Sequence, residues 1–340
     1  MPARVQTFTL HGPLAARITS LLLLARSAVA VIVTRILRGP LRPSWPFELE
    51  VATRFFKAQD DQILALIAHA PMEEIRGRID SLVFRLPVID RVRRVPEHRF
   101  AGHWLETDRP GPTVLYFHGG GYSLYPAMTD NLIAAVALAA GGRTFVPHYR
   151  LAPEHPYPSQ IEDAKSAYRW LLQGGTAPSQ LVLAGDSAGG HLVLVLALAL
   201  KAAGLPLPAA AVAISPWTDP RNAGASMQSN RPFDWMSPRM SDQLARWAGP
   251  ELAQASLLHW PRTDDFKHLP PLLVQAGEAE ICIDMIDAFC DLAERAGTDI
   301  TYRRYPDMTH NFHGFGDLVP QSREALDEIG AFIAARTASR

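Results

Sequence analysis

The pentapeptide Gly185-Asp186-Ser187-Ala188-Gly189 has the pattern expected around a nucleophilic serine. It directly follows the apolar strand sequence LVLA and directly precedes an apolar helical stretch. In a sharp strand-to-helix turn the serine adopts strained backbone angles, so the positions two before and two after it must be very small. A serine at a helix N-terminus also lies where developing negative charge is favoured. The pattern therefore indicates acyl transfer with Ser187 as the nucleophile.

A second glycine-rich run, HGGG at residues 118–121, follows the apolar strand sequence VLYF. Acyl transfer passes through an oxyanion, and each backbone donor aimed at it lowers the barrier by about 2.7 to 4 kcal/mol. We expect the amides of Gly119, Gly120 and Ala188 to form this oxyanion hole. His118 precedes the glycines, and we expect it to fix the loop by hydrogen bonding rather than to act as a base.

The elements that must position these residues are indicated by apolar runs that alternate with helical stretches after Ser81. This alternation predicts an α/β fold with a mostly parallel sheet of eight strands, flanked by helices. An apolar helical face near the C-terminus predicts a final helix that covers the sheet. The predicted strands are 82–86, 103–106, 113–118, 144–147, 181–184, 211–214, 272–275 and 300–305.

Residues 1–80 have a helical pattern broken by prolines, and we interpret them as an N-terminal helical cap. Part of 220–260 is a further candidate for this cap, and 81–340 form the predicted catalytic domain. Residues 18–37 are apolar over nearly a membrane-spanning length, but Arg26 interrupts them near the middle. A charge at the bilayer centre costs about 2.5 to 3.5 kcal/mol, which disfavours a spanning helix. We expect an amphipathic helix that covers the enzyme or contacts a membrane surface.

The composition argues against several classes of partner. The 340 residues carry a formal net charge of −1, which provides no field to attract nucleic acid. The two cysteines are too few for a disulfide framework, so we expect a reducing, cytoplasmic setting. His310 and His313 have no cysteine or carboxylate partner at a zinc-site spacing, and we predict no metal.

Five motifs in order resemble the hormone-sensitive-lipase-like (bacterial family IV) branch of the α/β-hydrolases. They are HGGG at 118–121, YRLAPEHPYP at 149–158, GDSAGG at 185–190, SPWTD at 215–219 and YPDMTHNF at 305–312. The resemblance covers roughly residues 80 to 340. It implies hydrolysis of carboxylic esters with short to medium acyl chains, without a cofactor. It also implies that the chain can form a homodimer through its last strand and helix.

The resemblance also implies the other members of a catalytic triad. The family's base is a histidine after the last strand, which corresponds to His310, although Asn311 replaces the usual glycine and leaves His313 as a nearby competitor. The family's D-P-L-x-D pattern aligns with residues 280–284, so Glu280 is the first choice for the acid and Asp284 the alternative. A carboxylate there holds the imidazole tautomer and stabilises the imidazolium.

The sequence leaves the pocket residues and the exact reaction less well defined. Tyr122 and Phe312 adjoin the motifs closely enough to be predicted as pocket residues. A lactonase, an amidase or an acyltransferase would use the same triad. A non-catalytic receptor for small molecules is an alternative of another class, but the histidine in its motif argues against it.

Overall fold

The computed structural model describes residues 7–338 and contains a central eight-stranded sheet with helices on both faces. The strands are β1 Thr7–Leu10, β2 Leu82–Arg85, β3 Arg93–Glu97, β4 Gly102–Glu106, β5 Thr113–Phe117, β6 Arg143–Pro147, β7 Leu181–Asp186, β8 Ala210–Ile214, β9 Leu272–Gly277 and β10 Ile300–Tyr305. The α-helices are α1 Leu14–Arg38, α2 Phe47–Leu66, α3 Met72–Ile79, α4 Thr129–Ala140, α5 Ser159–Gln173, α6 Ala188–Ala202, α7 Ser226–Ser229, α8 Pro238–Ala248, α9 Ile283–Arg295 and α10 Pro320–Thr337.

The strand order in the main sheet is β10-β9-β8-β7-β5-β6-β4-β3. All pairs from β10 to β6 are parallel, and only β4 pairs in antiparallel fashion with its two neighbours, β6 and β3. The predicted α/β-hydrolase fold with a mostly parallel eight-stranded sheet is confirmed.

The core lies on both faces of the sheet because the central strands are buried on both sides. Leu115 and Phe117 of β5 belong to the cluster that packs against α5, α6 and α9. Val114 and Tyr116 belong to the opposite cluster, under α4 and α10. Continuous apolar sequence is what strands covered on two faces require.

The membership of the sheet differs from the prediction at one strand. The predicted strand 82–86 lies outside the main sheet, since β2 pairs with β1 in a separate antiparallel ribbon. The eighth strand is instead β3, with sequence RRVPE, which pairs with β4 at the edge of the sheet. An edge strand tolerates proline and charge, so this segment gives no apolar alternation to detect.

The segment 1–80, predicted as a helical cap, contains α1, α2 and α3. It also contains one strand, β1, so it is not entirely helical. On the side of α1 that faces the rest of the molecule, Val31 is buried. On the same side, Ser20 Oγ forms a hydrogen bond of 2.7 Å with Ser81 Oγ. Arg35 of α1 pairs with the buried Glu50 of α2 at 2.8 Å. The boundary near residue 80 stays a prediction.

Candidate active site

Ser187 lies in the sharp turn between β7 and α6, with φ 55° and ψ −120°. The turn brings backbones so close that a Cβ at Gly189 would lie 2.0 Å from the carbonyl oxygen of Phe117. A Cβ at Gly185 would lie 2.5 Å from the carbonyl oxygen of Gly189. Only glycine fits at these two positions, which is the steric requirement that the sequence pattern predicts.

His310 follows β10 and lies beside Glu280, which follows β9. The Nδ1 atom of His310 is 3.1 Å from Oε2 of Glu280, and both side chains are buried. Because a carboxylate only accepts hydrogen bonds, Nδ1 is the protonated nitrogen. The Nε2 atom of His310 has no hydrogen-bond partner within residues 7–338. His310 and Ser187 line the same cavity. The imidazole therefore has its acceptor nitrogen available for a proton.

Glu280 is itself held by two donors. Its Oε1 accepts hydrogen bonds from Ser215 Oγ and from the amide of Gly277, both at 2.6 Å. Burial by itself would lower the pKa of His310, but the hydrogen bond and charge of Glu280, with the charges of Asp234 and Asp186, outweigh burial and raise it above 6.5. The site thus favours the imidazolium form that follows proton transfer.

The alternatives to Glu280 and His310 make other contacts. Asp284 Oδ2 accepts a hydrogen bond from the amide of Ser226 at 2.8 Å. His313 Nε2 is 3.0 Å from Oε1 of Gln275, and burial lowers the pKa of this imidazole to about 3. The structure therefore brings Glu280, and not Asp284, to His310.

Asp234 is a part of this site that sequence reasoning missed. Its buried carboxylate accepts hydrogen bonds from the amide of His310 at 3.1 Å and from the amide of Ile281 at 2.8 Å. It thereby ties the histidine loop to the glutamate loop. Burial, as the main cause, raises the pKa of Asp234 to about 6. The sole sequence signal is an aspartate between two aromatic residues, Phe233 and Trp235.

The glycine loop after β5 has a different donor arrangement from the predicted one. The amide of Gly119, predicted to bind the oxyanion, donates instead to Asp186 Oδ1 at 3.0 Å. The following residues, Gly120 and Gly121, have φ values of 108° and 59°, and Gly120 lines the cavity. Within the described residues no oxygen accepts from the amides of Gly120, Gly121 or Ala188.

Asp186 joins three segments of the site, as an anchoring residue would. Besides Gly119, its carboxylate accepts from the hydroxyl of Tyr116 at 2.9 Å and from Nδ2 of Asn311 at 2.8 Å. Burial, only partly offset by these donors, raises its pKa to about 6. Asn311, which replaces the glycine expected there, thus connects the loop of His310 to the turn that carries Ser187.

His118 is stacked between Tyr125 and Tyr149, with ring centroids 4.0 and 4.3 Å away. The Nδ1 atom is 2.7 Å from the carbonyl oxygen of Gly119, and Tyr149 donates to the carbonyl oxygen of His118 at 2.7 Å. Burial lowers the pKa of this imidazole to about 4. His118 thus supports the loop, which agrees with its predicted architectural role.

The cavity beside Ser187 has a volume of about 290 Å³. Neither predicted pocket residue lines it. Tyr122 is fully buried with its hydroxyl 2.6 Å from His191 Nδ1, and Phe312 packs against Tyr305 and His313. Both residues lie in the core because their rings pack within buried apolar clusters. Apolar lining comes instead from Phe56, Phe84, Leu124, Trp235, Leu244 and Phe315.

The chain is similar to known ester hydrolases along most of its length. The sequence profile of the alpha/beta hydrolase fold matches residues 114–314. An acetyl-hydrolase of Streptomyces hygroscopicus is 39% identical over 241 residues, which are 69% of this chain and 79% of that protein. The carboxylesterase NlhH of Mycobacterium tuberculosis is 32% identical over 225 residues, 63% of this chain and 70% of that protein. The crystal structure of an esterase from the bacterial hormone-sensitive lipase family matches with a TM-score of 0.70 and 33% identity, and covers 83% of this chain and 99% of that one.

Replacing Asp234 by Asn tests its role as the clamp between the two loops. One oxygen becomes an NH₂ group that cannot accept from the amide of His310 or Ile281, and a buried amide left unpaired costs about 1 to 3 kcal/mol. We expect Asp234→Asn to lower the free energy of unfolding by that amount. We also expect kcat on p-nitrophenyl butyrate to fall by about tenfold or more, because small displacements of a base are costly.

Asp291→Asn is the control for Asp234→Asn, because it removes a carboxylate at an exposed position of α9. Urea denaturation and steady-state kinetics of both variants provide the comparison. Wild-type stability and wild-type kcat in Asp234→Asn would contradict the clamp.

Proposed function

The chain belongs to the hormone-sensitive-lipase-like branch of the alpha/beta hydrolase family and is a carboxylic ester hydrolase, and from that premise we propose that Ser187, His310 and Glu280 form its catalytic triad. The observation that carries this proposal is the buried contact of 3.1 Å between His310 Nδ1 and Glu280 Oε2. That contact leaves Nε2 as the basic nitrogen in a site that shares its cavity with Ser187.

In the proposed acylation step, His310 Nε2 removes the proton of the Ser187 hydroxyl while Oγ attacks the ester carbonyl carbon. The carbonyl π electrons move to oxygen, and the resulting oxyanion accepts hydrogen bonds from Gly120, Gly121 and Ala188. We assign Gly121 in place of Gly119 because the Gly119 amide already donates to Asp186. The C–O bond then breaks, and the alkoxide leaves as an alcohol with the proton from His310.

Deacylation repeats these events with water. His310 takes a proton from water as the oxygen attacks the acyl carbon, the same amides bind the second oxyanion, and Ser187 departs with the proton from the imidazolium. Glu280 keeps its charge throughout and stabilises the imidazolium at Nδ1. No step needs a metal or a cofactor.

The substrate is a small-molecule ester, and we propose one with a short to medium acyl chain. The cavity of about 290 Å³ is just below the usual range for ligand pockets, roughly 300 to 1,000 Å³, so it suits a small ligand. Its aromatic and aliphatic lining suits an acyl chain rather than a polar polymer.

We further propose that α1 contacts a membrane surface. It is the one helix within residues 7–338 that is long and apolar enough to cross a membrane. Its side facing the molecule is packed on α2, whereas its outer side exposes a stripe of apolar side chains at helical spacing, and Arg17, Arg26 and Arg38 are also exposed. The stripe consists of Ile18, Leu22, Val29, Ile32, Val33 and Ile36. A helix packed on the body and bordered by arginines fits a position in the plane of the interface.

Leu24 of α1 also lines the cavity, which links this surface to the active site. A membrane-bound α1 would therefore hold the cavity close to lipid-soluble esters. The homodimer and the cytoplasmic setting stay predictions from the sequence.

Ser187→Ala tests the nucleophile. Removal of the hydroxyl should lower kcat by about 10⁴-fold or more while the fold is retained, because the remaining amides cannot replace covalent catalysis. A fluorophosphonate probe should label the wild-type chain and fail to label this variant. The control, Ser229→Ala, removes an exposed hydroxyl and should be labelled like the wild type. Undiminished hydrolysis by Ser187→Ala would overturn the assignment.

The pH dependence of kcat/KM tests Glu280. Neutral His310 is the base, and since its pKa is raised, the activity of the wild type should fall as pH drops through a value above 6.5. Glu280→Gln removes the largest raising influence, so the acid limb should move to lower pH. We expect kcat to fall by about 10³- to 10⁴-fold, because the tautomer is no longer fixed.

Asp284→Asn is the matched control for Glu280→Gln, and it should keep the acid limb of the wild type. If Asp284→Asn were folded and inactive while Glu280→Gln kept its activity, Asp284 would be the acid of the triad.

Co-sedimentation with vesicles tests the membrane contact. Wild-type chain should bind vesicles that contain phosphatidylserine more tightly than pure phosphatidylcholine vesicles, because the arginines of α1 are attracted to anionic lipid. The double variant Leu22→Ser/Ile36→Ser should lose about tenfold or more in partitioning, since two apolar side chains no longer enter the interface. Phe8→Ser removes exposed apolar surface outside α1 and should bind like the wild type. Equal binding by all three proteins would exclude α1 as the contact.

A further inference from the structure

The wall of the active-site cavity formed by α2 carries polar groups where an apolar stripe is expected. Ala52, Phe56 and Ile63 lie on one face of this helix and line the cavity. Gln59 and Asp60 lie between them on the same face and also line it. Neither side chain takes part in the proposed triad or oxyanion hole, so a different role must explain them.

Asp60 has unused hydrogen-bonding capacity at the cavity. The residue is buried, with a relative exposure of 8%. Oδ2 accepts from the amide of Ser237 at 3.3 Å, and no donor within residues 7–338 bonds to Oδ1. Burial, opposed in part by the hydrogen bonds from Ser237, raises the pKa of this carboxyl to about 7. A buried carboxyl whose donors all come from one residue, Ser237, has fewer donors than such a group normally gathers.

Gln59 adds a second acceptor to this wall. Its Nε2 donates to the carbonyl oxygen of Ile79 at 3.1 Å, which fixes the amide at one end. Its Oε1 accepts from no donor in the described part of the chain. A ligand group that donates hydrogen bonds would therefore find two acceptors side by side on α2.

The charges of the side chains that line the cavity also determine which ligand groups it attracts. The ionisable side chains among its described lining residues are Glu48, Asp60, Asp186 and His310, without any lysine or arginine. Asp186 is already saturated by Tyr116, Gly119 and Asn311. Glu48 is exposed, so Asp60 is the buried carboxyl that remains. A ligand that carries a carboxylate would be repelled, whereas an ammonium or hydroxyl group would be attracted to Asp60.

We propose that Asp60 binds a hydrogen-bond donor on the substrate, so that the enzyme prefers esters that carry a hydroxyl or ammonium group remote from the ester bond. This inference rests on the proposed function, since the ester must react with Ser187 in the same cavity. A site built to bond a donor rejects an analogue without it, because the buried acceptor is then left unpaired. Asp60 would thus set specificity without taking part in the chemical steps.

A purely structural role for Asp60 makes a different prediction. In that case the carboxylate only fixes the start of α8 through Ser237, the residue that caps this helix. Its replacement would then reduce the stability and the turnover of all esters in parallel. Selectivity between esters with and without a donor separates the two roles.

The experiment compares kcat/KM for p-nitrophenyl hexanoate with its ω-hydroxy and ω-amino derivatives, and for hexyl butyrate with its ω-hydroxy and ω-amino derivatives. The two series place the donor on the acyl side or on the alcohol side. We expect the wild type to prefer a donor-bearing ester by about tenfold or more in at least one series.

Two variants and a control complete the experiment. Asp60→Asn keeps an acceptor for Ser237 but loses the charge, so the preference for the amino ester should fall by about tenfold and that for the hydroxy ester by less. Asp60→Leu should abolish both preferences and raise kcat/KM for the plain esters. Asp61→Asn removes an exposed carboxylate from the next position of α2 and should keep the wild-type preferences.

Absence of any preference in the wild type, or a parallel loss on all esters in Asp60→Asn, would overturn the inference. Failure of the proposed function has a different signature, because hydrolysis of the plain esters would then survive in Ser187→Ala. Plain-ester hydrolysis that depends on Ser187 without any preference for donors rejects the Asp60 assignment alone.

Discussion

The hydrogen bond between His310 Nδ1 and Glu280 Oε2 is the interaction on which the geometry of the site depends. It joins the loops that follow two neighbouring parallel strands, β10 and β9, at the same edge of the sheet. Each end of the bond is held in turn, since Ser215 and Gly277 donate to Glu280 and the Asp234 carboxylate accepts from the His310 amide. A buried imidazole fixed in this way cannot rotate away from the cavity, and its basic nitrogen is defined by the partner of the other one.

This arrangement has a cost in stability. Burial raises the pKa values of Asp186 and Asp234 from an ordinary value of 3.8 to about 6. The folded chain therefore holds protons that the unfolded chain has released, and these two groups lower the stability of the fold as pH rises between those values. The apolar sheet core must offset this loss. The two carboxylates connect segments that would otherwise be independent loops: Asp234 accepts from the amides of Ile281 and His310, and Asp186 accepts from Tyr116, Gly119 and Asn311.

The sequence predicted those features that have local causes. Gly185 and Gly189 are required by backbone contacts within one turn, and the buried strands β5, β7, β8 and β9 require continuous apolar residues. Features that depend on distant partners were missed or misplaced. Asp234 bonds to loops that come 47 and 76 positions later in the chain, and Gly119 loses its amide to a carboxylate 67 positions away. The charged edge strand β3 has no apolar face to detect, and the apolar β2 pairs with β1 instead.

In the proposed function, the catalytic groups and the groups that recognise the substrate come from different parts of the chain. All groups of the proposed triad and oxyanion hole come from loops at the ends of strands β5, β7, β9 and β10. Helix α2, which belongs to the predicted cap, supplies none of them, yet it forms much of the cavity wall. Substitutions on α2 can therefore change which ester fits without moving Ser187 or His310. Gln59 and Asp60 lie on a face of α2 that packing alone would make apolar. A role in binding the substrate would explain why these two positions are polar.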